Sequence, residues 1–442
     1  MKTRVNPKEA DSIIKALEAG VVPRRGIQHL LVGRIKEVEE VITILDDIST
    51  GGSDIRFWVG DFGSGKSFML RTIESLAIQK DLVVSTVDLT PTRRFYATDG
   101  KAKALYKEVV DNILIKTAQQ GNAIATIIDE WIHNIIESVS EKEGISREDL
   151  LLKEHRKLIQ NEIIQVMSSF ESVGLSYEMG QAVAKYYEGV AENNNILKLL
   201  ALRWIRGDIE TKTESKRELG ISTIINDDNW YEAIKNLAEL FSSIGYKGFV
   251  INFDEAVNLY KLPMAQTRER NYEKILNIYN ECKSNTAKGL FINFGTTRKT
   301  VFDEYRGMAS YGALKGRLGD EASMDSKLIN VKRTALPLKP LIVEDIYTLL
   351  ESLSNIYNVH YKQNITMSHD NIQLYMEEQL NRPGADEFLT PRAVIKDYLE
   401  ILDMRRQNPE VDISEIIYTK FGKEPQAVTK DADNKDDDIE VL

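Results

Sequence analysis

The chain is poor in the two residues that most often hold metals or cross-links, with one cysteine, Cys282, and five histidines among 442 residues. A lone cysteine cannot close an internal disulfide, and no Cys/His cluster has metal-ligand spacing, so a reducing compartment and no structural zinc are expected. Cys282 reads as a small core or helix-surface residue. Long apolar runs are missing too. No stretch reaches the length of a membrane span, and Met1-Lys2-Thr3-Arg4-Val5-Asn6-Pro7 lacks the apolar centre of a signal peptide, so a cytoplasmic protein without a membrane partner is expected. There is no excess of positive charge: 57 Lys and Arg stand against 68 Asp and Glu, a net charge of −11. The stretch Glu424–Leu442 holds seven acids and two lysines and so contributes −5, leaving −6 for the rest. That tail, with Asp431, Asp433, Asp436, Asp437, Asp438 and Glu440, has almost nothing to bury and is expected to be disordered. Since the body is not basic, any nucleic-acid contact must come from a local patch or from a partner. What is present, 42% hydrophobic and 28% charged residues, suits a soluble chain long enough for two or three compact units.

One motif stands out against this background. Gly60-Asp61-Phe62-Gly63-Ser64-Gly65-Lys66-Ser67 is a complete G-x-x-x-x-G-K-S phosphate loop. Ile55-Arg56-Phe57-Trp58-Val59 before it reads as a strand, and Phe68-Met69-Leu70-Arg71-Thr72-Ile73 after it as a helix, which is the order the motif requires. Gly60, Gly63, Ser64, Gly65, Ser67 and Phe68 would cradle phosphate oxygens with backbone N–H groups at a helix start. Lys66 would reach the β- and γ-phosphates of ATP, and the Ser67 hydroxyl would ligate Mg²⁺.

Such a loop needs a carboxylate at the end of a neighbouring buried strand. Two stretches end in Asp-Glu. In the first, Ala123–Glu130, the residues Ile124, Ile127, Ile128, Trp131, Ile132, Ile135 and Ile136 recur with helical period, so it reads as an amphipathic helix. The second, Gly248-Phe249-Val250-Ile251-Asn252-Phe253-Asp254-Glu255, is short and β-rich, as a central parallel strand should be. Asp254 is therefore assigned to Mg²⁺ and Glu255 to the attacking water. Gly289–Phe294 predicts another buried strand. At its tip Thr296 or Thr297 would sense the γ-phosphate or cap a helix. Leu82–Val87 and Asn330–Leu336 complete a parallel sheet of about five strands wrapped by helices.

With these elements in order, the chain resembles an AAA+ ATPase of the origin-recognition type, carrying Val32-Gly33-Arg34 and Glu37 ahead of the phosphate loop. Further pieces are Ala19-Gly20-Val21-Val22-Pro23, the run from Arg306-Gly307-Met308 to Arg317-Leu318, Leu336-Pro337-Leu338-Lys339-Pro340-Leu341, and Leu389-Thr390-Pro391-Arg392. Together with Phe253-Asp254-Glu255 and Gly295-Thr296-Thr297 they resemble the ATP-binding proteins of BREX-type phage-defence loci (BrxD-like), over roughly residues 8 to 405. The resemblance implies an arginine finger at Arg317, where a surface salt bridge is the plainer reading. It implies a second sensor at Arg392, otherwise a helix-start arginine, and an adenine pocket lined by Gly33 and Arg34. It implies ATP hydrolysis with Mg²⁺ in a homo-oligomer, with a helicase-like or nuclease defence partner. The alternative is a nucleotide-switched scaffold or loader with little turnover.

Two departures from the origin-recognition pattern qualify this. About 160 residues separate the strand ending near Asp88 from the one at 249, so a helical insertion is expected at roughly 100–240. Within it Arg203-Trp204-Ile205-Arg206, Lys212, Lys216 and Arg217 either grip a DNA backbone non-specifically or form a solvated helix face with one core tryptophan. After the helix from Pro391 to about Met404 only a short ordered stretch is expected before the acidic tail, so a winged-helix DNA reader, and with it sequence-specific DNA binding, is not expected. The expected division is 1–99 and 241–340 for the two parts of an α/β P-loop AAA+ core, 100–240 for the insertion, 341–421 for a C-terminal helical lid and 422–442 for the tail.

Overall fold

The computed structural model describes residues 4–170, 175–326, 328, 330–382 and 390–422. The acidic tail expected beyond Gly422 and Leu389 of the Thr-Pro-Arg segment lie outside them. The described chain forms two compact units, residues 33–340 and residues 4–32 with 341–422.

The first unit is built on a five-stranded, all-parallel sheet: β1 (Asp54–Val59), β2 (Val83–Asp88), β3 (Phe249–Asp254), β4 (Leu290–Thr296) and β5 (Ala335–Pro337), in the order β2-β3-β4-β1-β5. Both faces are covered, which is why these strands read as continuous apolar runs. Ile55, Phe57, Phe253, Ile292 and Phe294 face one core, shared with helices Lys101–Asp111, Ile124–Glu143 and Trp230–Ile244. Trp58, Val84, Val250 and Phe291 face the other, beneath helices Ile35–Ile48 and Lys66–Gln79. Arg56 is tolerated in the buried central strand because its guanidinium is fully engaged, by Asp54 at 2.9 Å, Glu40 at 3.0 Å and the Arg333 carbonyl at 2.6 Å. Gly248 admits no side chain: a Cβ there would stand 2.6 Å from Ile48 Cγ2 and 2.8 Å from the Gly289 carbonyl.

From Ile124 the 123–130 stretch is helical, within Ile124–Glu143, with Ile124, Ile127, Ile128, Trp131, Ile132 and Ile135 buried and Gly144 ending it in left-handed backbone. The segment between β2 and β3 is helical, and its buried residues are continuous with the sheet's own core. Helices Ser176–Ala191 and Asn195–Ile205 pack so closely that a Cβ on Gly189 would lie 2.6 Å from the Lys198 nitrogen. Leu114 bridges to Val84 and covers part of the β2 edge.

β5 corrects the expectation of a strand over 330–336. Residues 331–334 turn instead, because the Asn330 side chain accepts the Lys332 amide at 3.1 Å, and pairing with β1 starts only at the Thr334 carbonyl.

The second unit is helical among its described residues. Pro7–Glu18 packs on Val343–Tyr361 and Pro391–Gln407, with His369–Leu380 and Ile413–Lys420 alongside. Thr390 caps Pro391–Gln407 by accepting the Ala393 amide, with Pro391 in the first turn. Among the described residues no helix is long and apolar enough to cross a membrane. Cys282 is buried, and burial pushes its thiol far above the reactive range.

Candidate nucleotide site

β1 runs directly into the phosphate loop. Gly63 (φ +81°) and Gly65 (φ +91°) are left-handed, and Gly60 must lack a Cβ because one would stand 2.2 Å from Ser64 Oγ. Helix Lys66–Gln79 starts at once, so the first-turn amides of Lys66, Ser67 and Phe68 have no intrahelical acceptor and point the positive end of the dipole out of the sheet. Lys66 Nζ donates to the carbonyls of Gly60 at 3.0 Å and Asp61 at 2.7 Å, and lies 5.4 Å from the ring of the exposed Phe62. Burial lowers the Lys66 amine below the ordinary lysine range, against the pull of Asp254, Glu255 and Asp61.

Asp254 closes the site from the sheet. Ser67 Oγ donates to Asp254 Oδ2 at 2.5 Å, joining the loop to a strand 187 positions later. The other oxygen, Oδ1, accepts the Glu255 amide at 2.8 Å and packs on Gly295, where a Cβ would stand only 2.6 Å away. Glu255 is exposed and held at φ +54°, a left-handed backbone unusual for glutamate. Thr296 ends β4 beside β1. Its hydroxyl is buried and has no hydrogen-bond partner among the described residues, whereas Thr297 caps the next helix through Thr300.

These residues suit Mg²⁺ and a triphosphate. A hydroxyl and a carboxylate stand side by side, and Mg²⁺ takes one or two protein oxygens while keeping several waters. The glycine cradle, the first-turn amides and the partnerless Thr296 hydroxyl supply donors with unfilled capacity.

Arg317 is exposed and donates to Asn280 Oδ1 at 3.0 Å and the Ala313 carbonyl at 2.5 Å. Arg392 belongs to the second unit, exposed, with its guanidinium against Gly20. Gly33 is left-handed, and Arg34 is buried, with bonds to the phosphate loop's own Ser64 carbonyl. In the 203–217 cluster, Trp204 is 1% exposed and donates to the Thr223 carbonyl at 2.9 Å. Arg203 pairs with Glu214 at 3.2 Å and Arg206 approaches Asp111 at 3.8 Å. The tryptophan is therefore a core residue, while Lys212, Lys216 and Arg217 of the same cluster are exposed.

The sequence reading passed over Asp88. It ends β2 in register with Asp254, so two carboxylates share this edge of the sheet. Burial and then Asp254 raise the Asp88 carboxyl above the usual range, while Arg71 and Arg93 oppose the rise. Arg71 is held by Glu74 at 2.7 Å, Glu74 accepts from Thr86 at 2.5 Å, and Asn252 donates to Thr86 at 3.2 Å. The only signal in the sequence was that β2 and β3 are both six-residue strands ending in aspartate.

The sequence profile of a family described as BREX system ATP-binding protein BrxC/D matches residues 5–420. No curated protein matches the chain.

Proposed function

Since the chain belongs to the family of BREX system ATP-binding proteins BrxC/D, we propose that it binds ATP with Mg²⁺ and hydrolyses it as the AAA+ component of a multi-protein phage-defence assembly. The observation that carries this reading is the 2.5 Å bond between Ser67 and Asp254, which sets the loop and the carboxylate strand at one place. Lys66 would bind the terminal phosphates, and Ser67 and Asp254 would hold the metal through oxygen and water. Mg²⁺ supplies charge neutralisation at the bridging phosphate oxygens when bound. Glu255 would accept a proton from the attacking water, and Thr296 would orient the neighbouring phosphate through its buried hydroxyl, which has no partner among the described residues. Arg317 would act on a neighbouring copy's site and Arg392 would close on the phosphates of its own.

The test is ATP turnover and nucleotide binding by the full chain, compared with Lys66→Ala, Asp254→Asn and Glu255→Gln. The expected pattern is loss of binding in the first, loss of Mg²⁺-dependence in the second, and binding without turnover in the third. Binding unchanged by Lys66→Ala would overturn the assignment. If Glu255→Gln leaves defence intact, ATP binding rather than hydrolysis is the working step, and the protein is a nucleotide-switched scaffold. For DNA, Trp204 is buried, so a non-specific contact of the insertion with a phosphate backbone would rest on the exposed Lys212, Lys216 and Arg217.

A further inference from the structure

The chain passes between its two units twice, before Gly33 and after Pro340. Arg34 stands one residue inside the first passage and is buried, 8% exposed. One nitrogen of its guanidinium, Nη2, donates both to the Ser64 carbonyl at 3.1 Å and to the Lys339 carbonyl, which lies just before the second passage. Its Nη1 lies 3.5 Å from the buried carboxylate of Glu37. Residues 30 and 305 positions away are thereby gathered on one side chain. The Lys339 end is rigidly seated: the Leu338 amide donates to the Val59 carbonyl at 2.7 Å, and the Leu338 carbonyl would lie 3.2 Å from any Cβ on Gly60. The Ser64 end is the adjustable one, lying between two left-handed glycines.

We infer that Arg34 is a positioning residue that couples the phosphate loop to both passages of the chain, so that a bound phosphate is felt at residues 338–341. This rests on the reading that the loop binds ATP. It differs from a role in lining an adenine pocket, because the donors of Arg34 named above are directed at main-chain carbonyls of the loop and of the second passage. A guanidinium suits this task because its planar fork holds several acceptors at fixed angles and never loses its charge. When phosphate oxygens draw the loop amides inward, the Ser64 carbonyl turns with its peptide plane. The shared Nη2 then shifts its weight toward Lys339.

The experiment is hydrogen exchange on the full chain, wild type and Arg34→Lys, with and without ATP and Mg²⁺, alongside binding of a fluorescent ATP analogue and a thermal melt. In the wild type, ATP is expected to slow exchange in residues 60–67 and to change it in peptides covering 31–36 and 336–343. Arg34→Lys keeps the charge but loses the fork. It should weaken ATP about tenfold, as loss of a charge-assisted buried bond implies. At saturating ATP it should still protect 60–67 while the change at 336–343 disappears. Protection of 60–67 in the wild type without any change at 336–343 overturns the inference and leaves the ATP reading standing, as does a variant that keeps the full response. No protection of 60–67 in the wild type overturns the ATP reading, and this inference with it. Should Arg34→Lys fail to fold by the melt, the wild-type comparison still decides, and Glu37→Gln, which removes only the charge facing Nη1, should retain the coupling.

Discussion

Glu255 shows most directly how function departs from stability at single residues. A side chain at φ +54° costs roughly 1 kcal/mol or more against ordinary backbone, and glycine would not incur it. Glu255→Gly is therefore expected to raise stability by about 0.5–1 kcal/mol in denaturant titration while abolishing ATP turnover and sparing ATP binding. A loss of stability on this change would mean that the carboxylate makes a contact worth more than the strain. Asp88 gives a pH-dependent case. Its carboxyl is raised in the folded chain, so the charged form is less favoured there than in the unfolded chain. The penalty is complete above the folded pKa, shrinks as pH falls through it, and is absent once the residue is protonated in both states. Asp88→Asn should then melt higher than wild type at pH 7, with the difference vanishing below about pH 4. Lys66 and Ser67 were legible because their motif is contiguous. The sequence reading did not single out Asp88, because only strand register sets it beside Asp254.

Elements were read well where one physical force acted alone. The isoleucines from Ile124 to Ile135 share a helix face, and the six-residue run at β3 is apolar on both sides, so period decided between two Asp-Glu pairs. At 331–334 two forces competed, and the side-chain turn at Asn330 won over strand propensity. Pairing also explains a glycine whose role no motif reveals. Phe253 lies opposite Phe294, which brings Asp254 against Gly295. Gly295→Ala would force the Asp254 carboxylate away from Ser67, since the new Cβ would stand 2.6 Å from Oδ1. The expected result is a rise of about tenfold in the Mg²⁺ needed for half-maximal turnover, the scale of an outer-shell defect at a metal site. Unchanged Mg²⁺ dependence would show that Asp254 does not serve the metal.

For the molecule as a whole, the open matter is whether one copy completes its own site. Arg317 is exposed and donates to Asn280 and the Ala313 carbonyl, and the proposal above has it serve another copy. Mixing Lys66→Ala with Arg317→Ala, each inactive alone, should restore turnover when both are present, measured together with the mass of the mixture. No restoration, with an oligomer of unchanged size, would remove Arg317 from the neighbour's site. The amino-acid sequence by itself determined the phosphate loop, the apolar strands and the helical character of the stretch between β2 and β3, because those follow from residues adjacent along the chain or repeating with one period. Only tertiary structure decided that Trp204 is core, that Asp88 joins Asp254, and that Arg34 holds Ser64 and Lys339 together. Each of those depends on strand order, register and burial across tens to hundreds of positions, where the free energy of packing, not local preference, chooses the neighbours.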